Sequence, residues 1–297
     1  MKFTPSGDSQ KLSLEPILSL NRRNFLVSTA VAGMAISAGP VMAQQLIVTS
    51  TDGLETGELK IPGPSGSQIP IYFAIPGKAG KYPAVLVIPE IWGAHEHIKD
   101  VARRLAKAGY FSVVAEPYFR IGDLTKLTDI KEVIAGANQL TDEQCFADLD
   151  ATLQWAGKQP KADLGKLGIT GFCRGGRTTW MYTAHNPRIK AGVAWYGGLN
   201  PAPPAMPLTP IDIAAKLNAP VLGLYGGADQ GIPQATLDRL TAALAAAGKD
   251  KESLVHVYPA MPHAFHADYR PSYRKEAAED GWKRMLAWFR KNGVYAG

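Results

Sequence analysis

Residues 167–176 read Leu-Gly-Ile-Thr-Gly-Phe-Cys-Arg-Gly-Gly. The apolar beginning of this stretch predicts a buried strand, and residues with helical spacing follow it. Cys173 lies between them in the pattern Gly-x-Cys-x-Gly, which is typical of a nucleophile elbow, a sharp strand-to-helix turn. Cβ atoms at Gly171 and Gly175 would collide with the neighbouring elements of such a turn. We therefore expect Cys173 to face solvent at a helix N-terminus, where the helix dipole favours the thiolate, the form that attacks.

Short apolar runs alternate with amphipathic segments along the rest of the chain. The runs predict strands over residues 84–88, 110–115, 166–170, 191–195, 220–225 and 254–258. The segments predict helices over residues 97–109, 142–156, 178–185, 234–247 and 272–291. This alternation predicts an α/β fold, a mostly parallel sheet with helices on both faces. Ligands of such sheets bind beyond the carboxyl ends of the strands, and the elbow lies at that edge.

The N-terminal region carries the pattern of an export signal. Arg22 and Arg23 precede an apolar stretch over residues 25–43, which ends in the small-residue sequence Val41-Met42-Ala43. This pattern predicts a twin-arginine signal over residues 1–43 with cleavage near Ala43. An uncleaved membrane anchor is the alternative, although glycine and proline interrupt the stretch.

Residues 44–297 then form a single domain of ordinary size for an α/β protein. We expect it to pass the twin-arginine translocase folded and to act in the periplasm as a monomer, without stable membrane association. The whole chain of 297 residues has a formal charge of +6, and no basic run suggests a nucleic-acid partner. No spacing is typical of metal ligands or of a phosphate-binding loop, so we expect neither a metal nor a cofactor.

The chain has two cysteines, Cys145 and Cys173. In an oxidising compartment they could form one disulfide. Cys145, however, lies in the predicted helix 142–156, where a buried small apolar residue is the simpler interpretation.

Two further chemical groups follow predicted strands. Asp229 comes after the strand at 220–225, and His263 comes after the strand at 254–258. The order Cys173, Asp229, His263 is that of an α/β-hydrolase triad. His263 would take the thiol proton and later protonate the leaving group, while Asp229 would fix the imidazole tautomer and stabilise its charge. Taken singly, Asp229 could be a turn residue and His263 a partly buried surface histidine.

These motifs resemble the dienelactone hydrolase (carboxymethylenebutenolidase) family, whose members use a cysteine in an α/β-hydrolase fold. The resemblance extends from about residue 71 to residue 292. The motifs that carry it are Pro89-Glu90-Ile91-Trp92-Gly93, Glu116-Pro117-Tyr118-Phe119-Arg120, Gly171-Phe172-Cys173-Arg174-Gly175-Gly176, Tyr196-Gly197-Gly198, Gly227-Ala228-Asp229 and His263-Ala264-Phe265.

The resemblance implies roles for individual residues. It makes Cys173, Asp229 and His263 the triad, and it matches Glu90 to the family glutamate that partners the thiol and helps to deprotonate it. It also matches the backbone N–H groups of Ile91 and Arg174 to an oxyanion hole. Without the resemblance, Glu90 could be a solvated loop residue.

The chain departs from the family pattern where the substrate is selected. The family reads a substrate carboxylate with arginines, one of them four residues after the histidine, and that position is Ala267 here. Arg270 and Arg120 are the remaining candidates, although Arg120 could be an ordinary surface residue. His95, His97 and His266 have no identified partner and are expected at the surface. The proline-rich segment 200–210 is either a pocket wall or a spacer.

These features together predict an exported cysteine hydrolase that cleaves a small ester or lactone through an acyl-thioester on Cys173. A broader carboxylesterase or thioesterase would use the same triad. A binding protein of the same fold, without turnover, is the alternative from another functional class.

Overall fold

The computed structural model describes residues 47–202 and 204–295, so the predicted signal lies outside the described residues. The strands are β1 (Leu54–Pro62), β2 (Gln68–Pro76), β3 (Tyr82–Ile88), β4 (Phe111–Ala115), β5 (Ala162–Phe172), β6 (Ile189–Trp195), β7 (Val221–Gly226) and β8 (Leu254–Tyr258). The α-helices are α1 (Glu96–Lys107), α2 (Ile130–Ala137), α3 (Asp142–Ala156), α4 (Arg174–His185), α5 (Gln234–Ala246) and α6 (Lys275–Lys291).

All eight strands join one sheet in the order β1-β2-β4-β3-β5-β6-β7-β8. The strands β3, β4, β5, β6, β7 and β8 run parallel to one another. By contrast, β1 pairs antiparallel with β2, and β2 pairs antiparallel with β4. The predicted mostly parallel α/β sheet is therefore confirmed. Parallel pairing brings the carboxyl ends of β3, β5, β6, β7 and β8 to one edge, where the motifs of the sequence meet.

Helices cover both faces of the sheet because successive side chains of a strand point to opposite sides. In β3, Val85 and Val87 pack into one core with apolar residues of α1 and α6. Leu86 and Ile88 of the same strand pack into a second core with apolar residues of α3. Side chains of α4 and α5 form a third cluster with β7. Each fully buried aliphatic side chain stabilises the fold by about 1.5–3 kcal/mol, so these cores hold the sheet edge rigid.

The antiparallel strands β1 and β2 were not predicted from the sequence. Pro70 and Pro76 interrupt the apolar pattern of β2, and proline within a run argues against a central strand. β1 is a sheet edge and largely exposed, with only Ile61 buried among its residues. These strands extend the sheet on the side away from β8. They do not change the edge at which the sequence motifs meet.

Helix α4 begins at Arg174, four residues before the predicted start at Thr178. The two glycines that follow Arg174 are poor helix formers, so periodicity alone places the start too late. By contrast, α3 has the predicted bounds, because Thr141 and Gln144 form a capping box at its N-terminus.

Cys145 and Cys173 are both free thiols and both buried, so the disulfide alternative is wrong for this structure. Within the described residues, no helix is long and apolar enough to cross a membrane.

Candidate active site

Cys173 occupies the turn between β5 and α4 in a strained backbone conformation, with φ 53° and ψ −113°. The turn is tight: a Cβ atom on Gly171 would lie 2.2 Å from the carbonyl oxygen of Gly175. A Cβ atom on Gly175 would lie 2.2 Å from the carbonyl oxygen of Ile88 in β3. The glycine requirement expected at this turn is therefore confirmed. Cys173 is only 6% exposed, so it faces a cavity rather than open solvent.

Asp229 and His263 follow β7 and β8 and meet at the same edge of the sheet. Their side chains are buried, and Nδ1 of His263 lies 2.6 Å from Oδ2 of Asp229. The other carboxylate oxygen of Asp229 accepts a hydrogen bond from the backbone N–H of Gly231 at 2.9 Å. Because Nδ1 is engaged, Nε2 of His263 is the nitrogen left for chemistry, and it has no hydrogen-bond partner among the described residues. His263 and Cys173 line the same cavity.

The charges around His263 favour the imidazolium. Burial by itself lowers the pKa of His263, but the carboxylate of Asp229 and the sulfur of Cys173 outweigh burial and raise that pKa to about 10. A protonated His263 next to a thiolate is the reactive state of a cysteine nucleophile. The structure thus brings the predicted Cys173, Asp229 and His263 into an arrangement that permits acyl transfer.

Two unpaired backbone N–H groups lie beside Cys173, on Ile91 and on Arg174. Neither has an acceptor among the hydrogen bonds of the described residues, and Ile91 and Arg174 both line the cavity. The loop that carries Ile91 is fixed by Glu116, whose carboxylate accepts the N–H of Ala94 at 2.6 Å. This loop turns at Gly93 with φ +81°, where a Cβ atom would lie 2.3 Å from Glu116. Both N–H groups are therefore without an acceptor among the described residues and belong to residues that line the cavity.

Glu90 is fully buried between the elbow and the segment after β8. Its Oε2 oxygen accepts a hydrogen bond from the hydroxyl of Tyr269. Nε2 of His95 lies 3.5 Å from this oxygen, and Nη2 of Arg270 lies 3.9 Å from it. The Oε1 oxygen has no hydrogen-bond partner among the described residues. Tyr269 thus holds one oxygen of the Glu90 carboxylate, and the other oxygen is available to a further hydrogen-bond donor.

The environment keeps Glu90 ionised. Burial by itself raises the pKa of Glu90, but the positive charge of Arg270 and the contact with His95 outweigh burial, so the pKa lies well below its usual range. An ionised carboxylate with a lowered pKa is a weak base. His263 is therefore better suited than Glu90 to hold the thiol proton in this arrangement.

The prediction of three surface histidines is wrong, because His95, His97 and His266 are all buried. Nδ1 of His97 lies 2.9 Å from Oδ1 of Asp268, and the ring of His266 packs on Trp195 at 4.6 Å between centroids. Burial lowers the pKa of His266 well below its usual value, so the ring is neutral and packs as an aromatic. The partners of His97 and His266 come from distant segments, which spacing along the chain does not reveal.

The structure does not bring Arg270 or Arg120 to the cavity at Cys173. The Arg270 side chain is 3% exposed and lies over the ring of Trp92 at 4.2 Å, with Glu90 as its ionic partner. Arg120 binds both carboxylate oxygens of Asp148, at 2.5 and 2.7 Å. Each guanidinium already has an anionic partner, and neither residue lines the cavity.

The cavity has a volume of about 200 Å³ and a mostly apolar lining. The side chains of Arg174 and Arg177 were not predicted to line it. Arg177 pairs with both oxygens of Asp142, at 2.6 and 2.8 Å. Arg174 bonds only neutral oxygens, Oδ1 of Asn138 at 3.0 Å and the carbonyl of Leu140 at 2.7 Å. Neither of these partners of Arg174 carries a negative charge. Arg174 and Arg177 lie three residues apart directly after Cys173, and this spacing is the sequence signal that could have identified them.

The proline-rich segment forms part of the cavity wall. The pocket-wall interpretation is therefore confirmed over the spacer. Four of its residues line the cavity: Asn200, Pro201, Ala202 and Met206. The carbonyl of Leu208 accepts a hydrogen bond from Arg177 at 2.6 Å and connects this segment to α4.

Comparisons with known proteins agree with this geometry. The model of the dienelactone hydrolase family matches residues 69–293. A "Putative carboxymethylenebutenolidase" from Methylorubrum extorquens is 52% identical over 97% of this chain and 98% of its own length. A "Probable 2-oxo-3-(5-oxofuran-2-ylidene)propanoate lactonase" from Bradyrhizobium is 31% identical over 77% of this chain and 91% of its own.

A solved structure is similar as well. The crystal structure of a "Putative Dienelactone Hydrolase" from Klebsiella pneumoniae superposes with a TM-score of 0.76 and is 48% identical in sequence. The match covers 80% of this chain and 99% of that one. The family resemblance seen in the motifs is thereby confirmed. The chain belongs to the dienelactone hydrolase family and is a hydrolase with the α/β-hydrolase fold.

Proposed function

We propose that this protein cleaves an ester or lactone through an acyl-thioester on Cys173. The observation that carries the proposal is the placement of Cys173 and His263 on one cavity, with Nδ1 of His263 2.6 Å from Asp229. A nucleophile, a base and a group that orients the base are the three parts that acyl transfer requires.

The reaction has two halves. The thiolate of Cys173 attacks the carbonyl carbon, a C–S bond forms, and the carbonyl electron pair moves onto the oxygen. The N–H groups of Ile91 and Arg174 stabilise that oxyanion. The C–O bond then breaks, and His263 gives its proton to the leaving alkoxide, which stays attached to the acyl chain when the substrate is a lactone. Water next attacks the thioester and loses a proton to His263, and the C–S bond breaks to release the acid.

The substrate carries an anionic group close to the scissile bond. Arg174 supports this part of the proposal, because it is a cavity-lining cation whose two hydrogen bonds go to neutral oxygens. A carboxylate would compensate its charge and could bind two guanidinium N–H groups. The Bradyrhizobium relative is named for a lactone that carries a propanoate group. A contact between Arg270 and the substrate would first require Arg270 to leave Glu90 and Trp92.

The protein acts in the periplasm after export through the twin-arginine translocase and removal of residues 1–43. Support comes from Arg22-Arg23 followed by an apolar stretch with a small-residue end at Ala43. Mass spectrometry of the exported protein should find Gln44 near its N-terminus. Exchange of both arginines for lysine should abolish export, and export of that variant would contradict the twin-arginine route.

The test of the hydrolase proposal is to mix the protein with a chromogenic ester and follow both alcohol release and protein mass. We expect a burst of alcohol together with one acyl group on the peptide that contains Cys173. Binding of the ester without release of alcohol would instead identify a binding protein. Turnover with unmodified Cys173 under conditions that trap acyl-enzymes would contradict the mechanism.

A further inference from the structure

Tyr269 is buried next to the active site and was not among the candidate residues. Its hydroxyl donates a hydrogen bond to Oε2 of Glu90. Its ring packs against His95 at 4.8 Å and His97 at 5.4 Å between centroids, which fixes the position of the hydroxyl. Burial and the charge of Glu90 raise the pKa of Tyr269 well above its usual value, so the hydroxyl keeps its proton and acts as a donor.

Glu90 lies next to the elbow, since Glu90 and Cys173 both act electrostatically on Arg270 and on Tyr196. It follows Pro89, whose carbonyl oxygen would lie 2.6 Å from a Cβ atom on Gly175 in the elbow. It precedes Ile91, which lines the cavity together with Cys173. Oε2 accepts the hydrogen bond from Tyr269, whereas Oε1 has no hydrogen-bond partner in the part of the chain that the structure describes.

We propose that Tyr269 is a positioning residue for Glu90, and that its hydroxyl fixes the Oε2 oxygen and keeps the buried carboxylate ionised beside Cys173. This inference rests on the proposed cysteine chemistry. A hydrogen bond to the charged form of a carboxylate favours that form, so loss of the hydroxyl raises the proton affinity of Glu90. Protonated Glu90 can no longer neutralise the charge of Arg270.

Other ionisable groups also face Glu90, and the test must separate them from Tyr269. They are His95 and His97 at the start of α1, Tyr196 after β6, and His266 and Arg270 after β8. Arg270 acts on Glu90 from 3.9 Å and also lies in hydrogen-bond contact with the Tyr269 side chain. A change that appears in Tyr269→Phe, is lost in the Glu90→Gln background and persists in an Arg270→Lys background is therefore attributable to the hydrogen bond between Tyr269 and Glu90.

The experiment is a double-mutant cycle on the pH profile of kcat/KM with a chromogenic ester. Tyr269→Phe should move the acid limb upward by about one to two pH units, as expected for loss of a charge-assisted hydrogen bond. In the Glu90→Gln background the same substitution should cause no shift. Tyr273→Phe is the matched control, since burial and nearby charges, and no hydrogen bond, act on the Tyr273 hydroxyl among the described residues. Its profile should superimpose on that of the wild type.

Superimposable profiles for Tyr269→Phe and wild type would overturn the inference, and so would an equal shift in the Glu90→Gln background. If Tyr269→Phe does not fold, proton NMR of the other proteins still decides. The wild type should show a strongly deshielded hydroxyl resonance that disappears in Glu90→Gln, and its absence from the wild type would overturn the inference. Failure of the proposed function is distinguishable, because it would appear as an unacylated Cys173 in the wild-type protein.

Discussion

Among the described residues, two buried histidines contact an aspartate through Nδ1, His263 with Asp229 and His97 with Asp268. They share the same local geometry, since Nδ1 of each imidazole faces a carboxylate oxygen, at 2.6 Å in the first pair and 2.9 Å in the second. Their surroundings differ. His263 lines the cavity with Cys173, whereas His97 is fully buried and packs on the rings of Tyr269, His266 and Phe172.

The two carboxylates also differ in how their charge is compensated. Oδ2 of Asp268 accepts hydrogen bonds from Arg104 at 2.9 Å and from the backbone N–H of Ile47 at 3.3 Å. Asp229 has no arginine or lysine within 4 Å among the described residues, so His263 is its cationic partner. Burial and pairing are therefore common to both. Two features distinguish the candidate catalytic pair from the structural one. His263 shares a cavity with the nucleophile, and its aspartate has no arginine or lysine partner among the described residues.

The largest expected difference between the pairs is in turnover. His263→Gln should lower kcat/KM by about 10³-fold, because loss of a positioned acid–base group typically costs about 10²–10⁴-fold. His97→Gln, the matched control, should keep most of the activity that its folded fraction allows. Steady-state kinetics on both purified variants measures the difference. Comparable losses in two folded variants would mean that both histidines take part in the reaction.

The second difference is in the charge of the histidine. Burial lowers the pKa of His263, but Asp229 and the sulfur of Cys173 outweigh burial and raise it to about 10, so His263 stays protonated at neutral pH and loses its proton only as the pH rises through about 10. Asp229→Asn removes the negative charge and should move that titration to lower pH. NMR titration of the His263 ring, assigned with His263→Gln, measures the midpoint. An unchanged midpoint in Asp229→Asn would show that the carboxylate does not set this charge.

The third difference is in stability. Asp268→Asn removes the partner of His97 and Arg104 inside the fold and should lower the free energy of unfolding by about 3 kcal/mol, as breaking a buried ion pair does. The folded variant should retain most of its kcat. Urea unfolding together with kinetics at a temperature where the variant is folded measures both quantities. Full stability with lost turnover would place Asp268 in the catalytic machinery instead.

The smallest expected effect concerns the cavity, which His263 lines and His97 does not. Arg174→Gln keeps the backbone N–H but removes the charge, so it should lower kcat/KM for carboxylate-bearing lactones by about ten- to a hundredfold. Neutral esters should be little affected. Arg120→Gln is the control, because Arg120 pairs with Asp148 outside the cavity. Equal losses on both substrate classes would mean that Arg174 has a structural role.

Local sequence patterns were sufficient for the central sheet and for the elbow. The run before Cys173 and the glycines around it have short-range causes, namely periodicity and the lack of room for a Cβ atom. The antiparallel β1 and β2 depend on pairing across the chain, and prolines obscure their pattern. Helix α2 was missed for another reason: it has only eight residues, although Asp129 caps its N-terminus and Glu132 lies in its first turn.

The candidate site was predictable where chain order carries information and not where partners come from distant segments. Asp229 and His263 each follow a strand, and parallel pairing places both at one edge. The partners of Arg270 and Arg120, by contrast, are Glu90 and Asp148, and nothing in the local spacing indicates them. A charged side chain near a motif can bind the substrate or another buried charge, and the structure decides which.

The most direct test of the cysteine mechanism compares Cys173→Ala with Cys145→Ala in ester hydrolysis. Both thiols are buried, but only Cys173 lines the cavity with His263. Cys173→Ala should lose at least about 10³-fold in kcat while unfolding at a temperature close to that of the wild type. Cys145→Ala should hydrolyse the ester at close to the wild-type rate. Hydrolysis by purified Cys173→Ala at a rate near that of the wild type would contradict the mechanism.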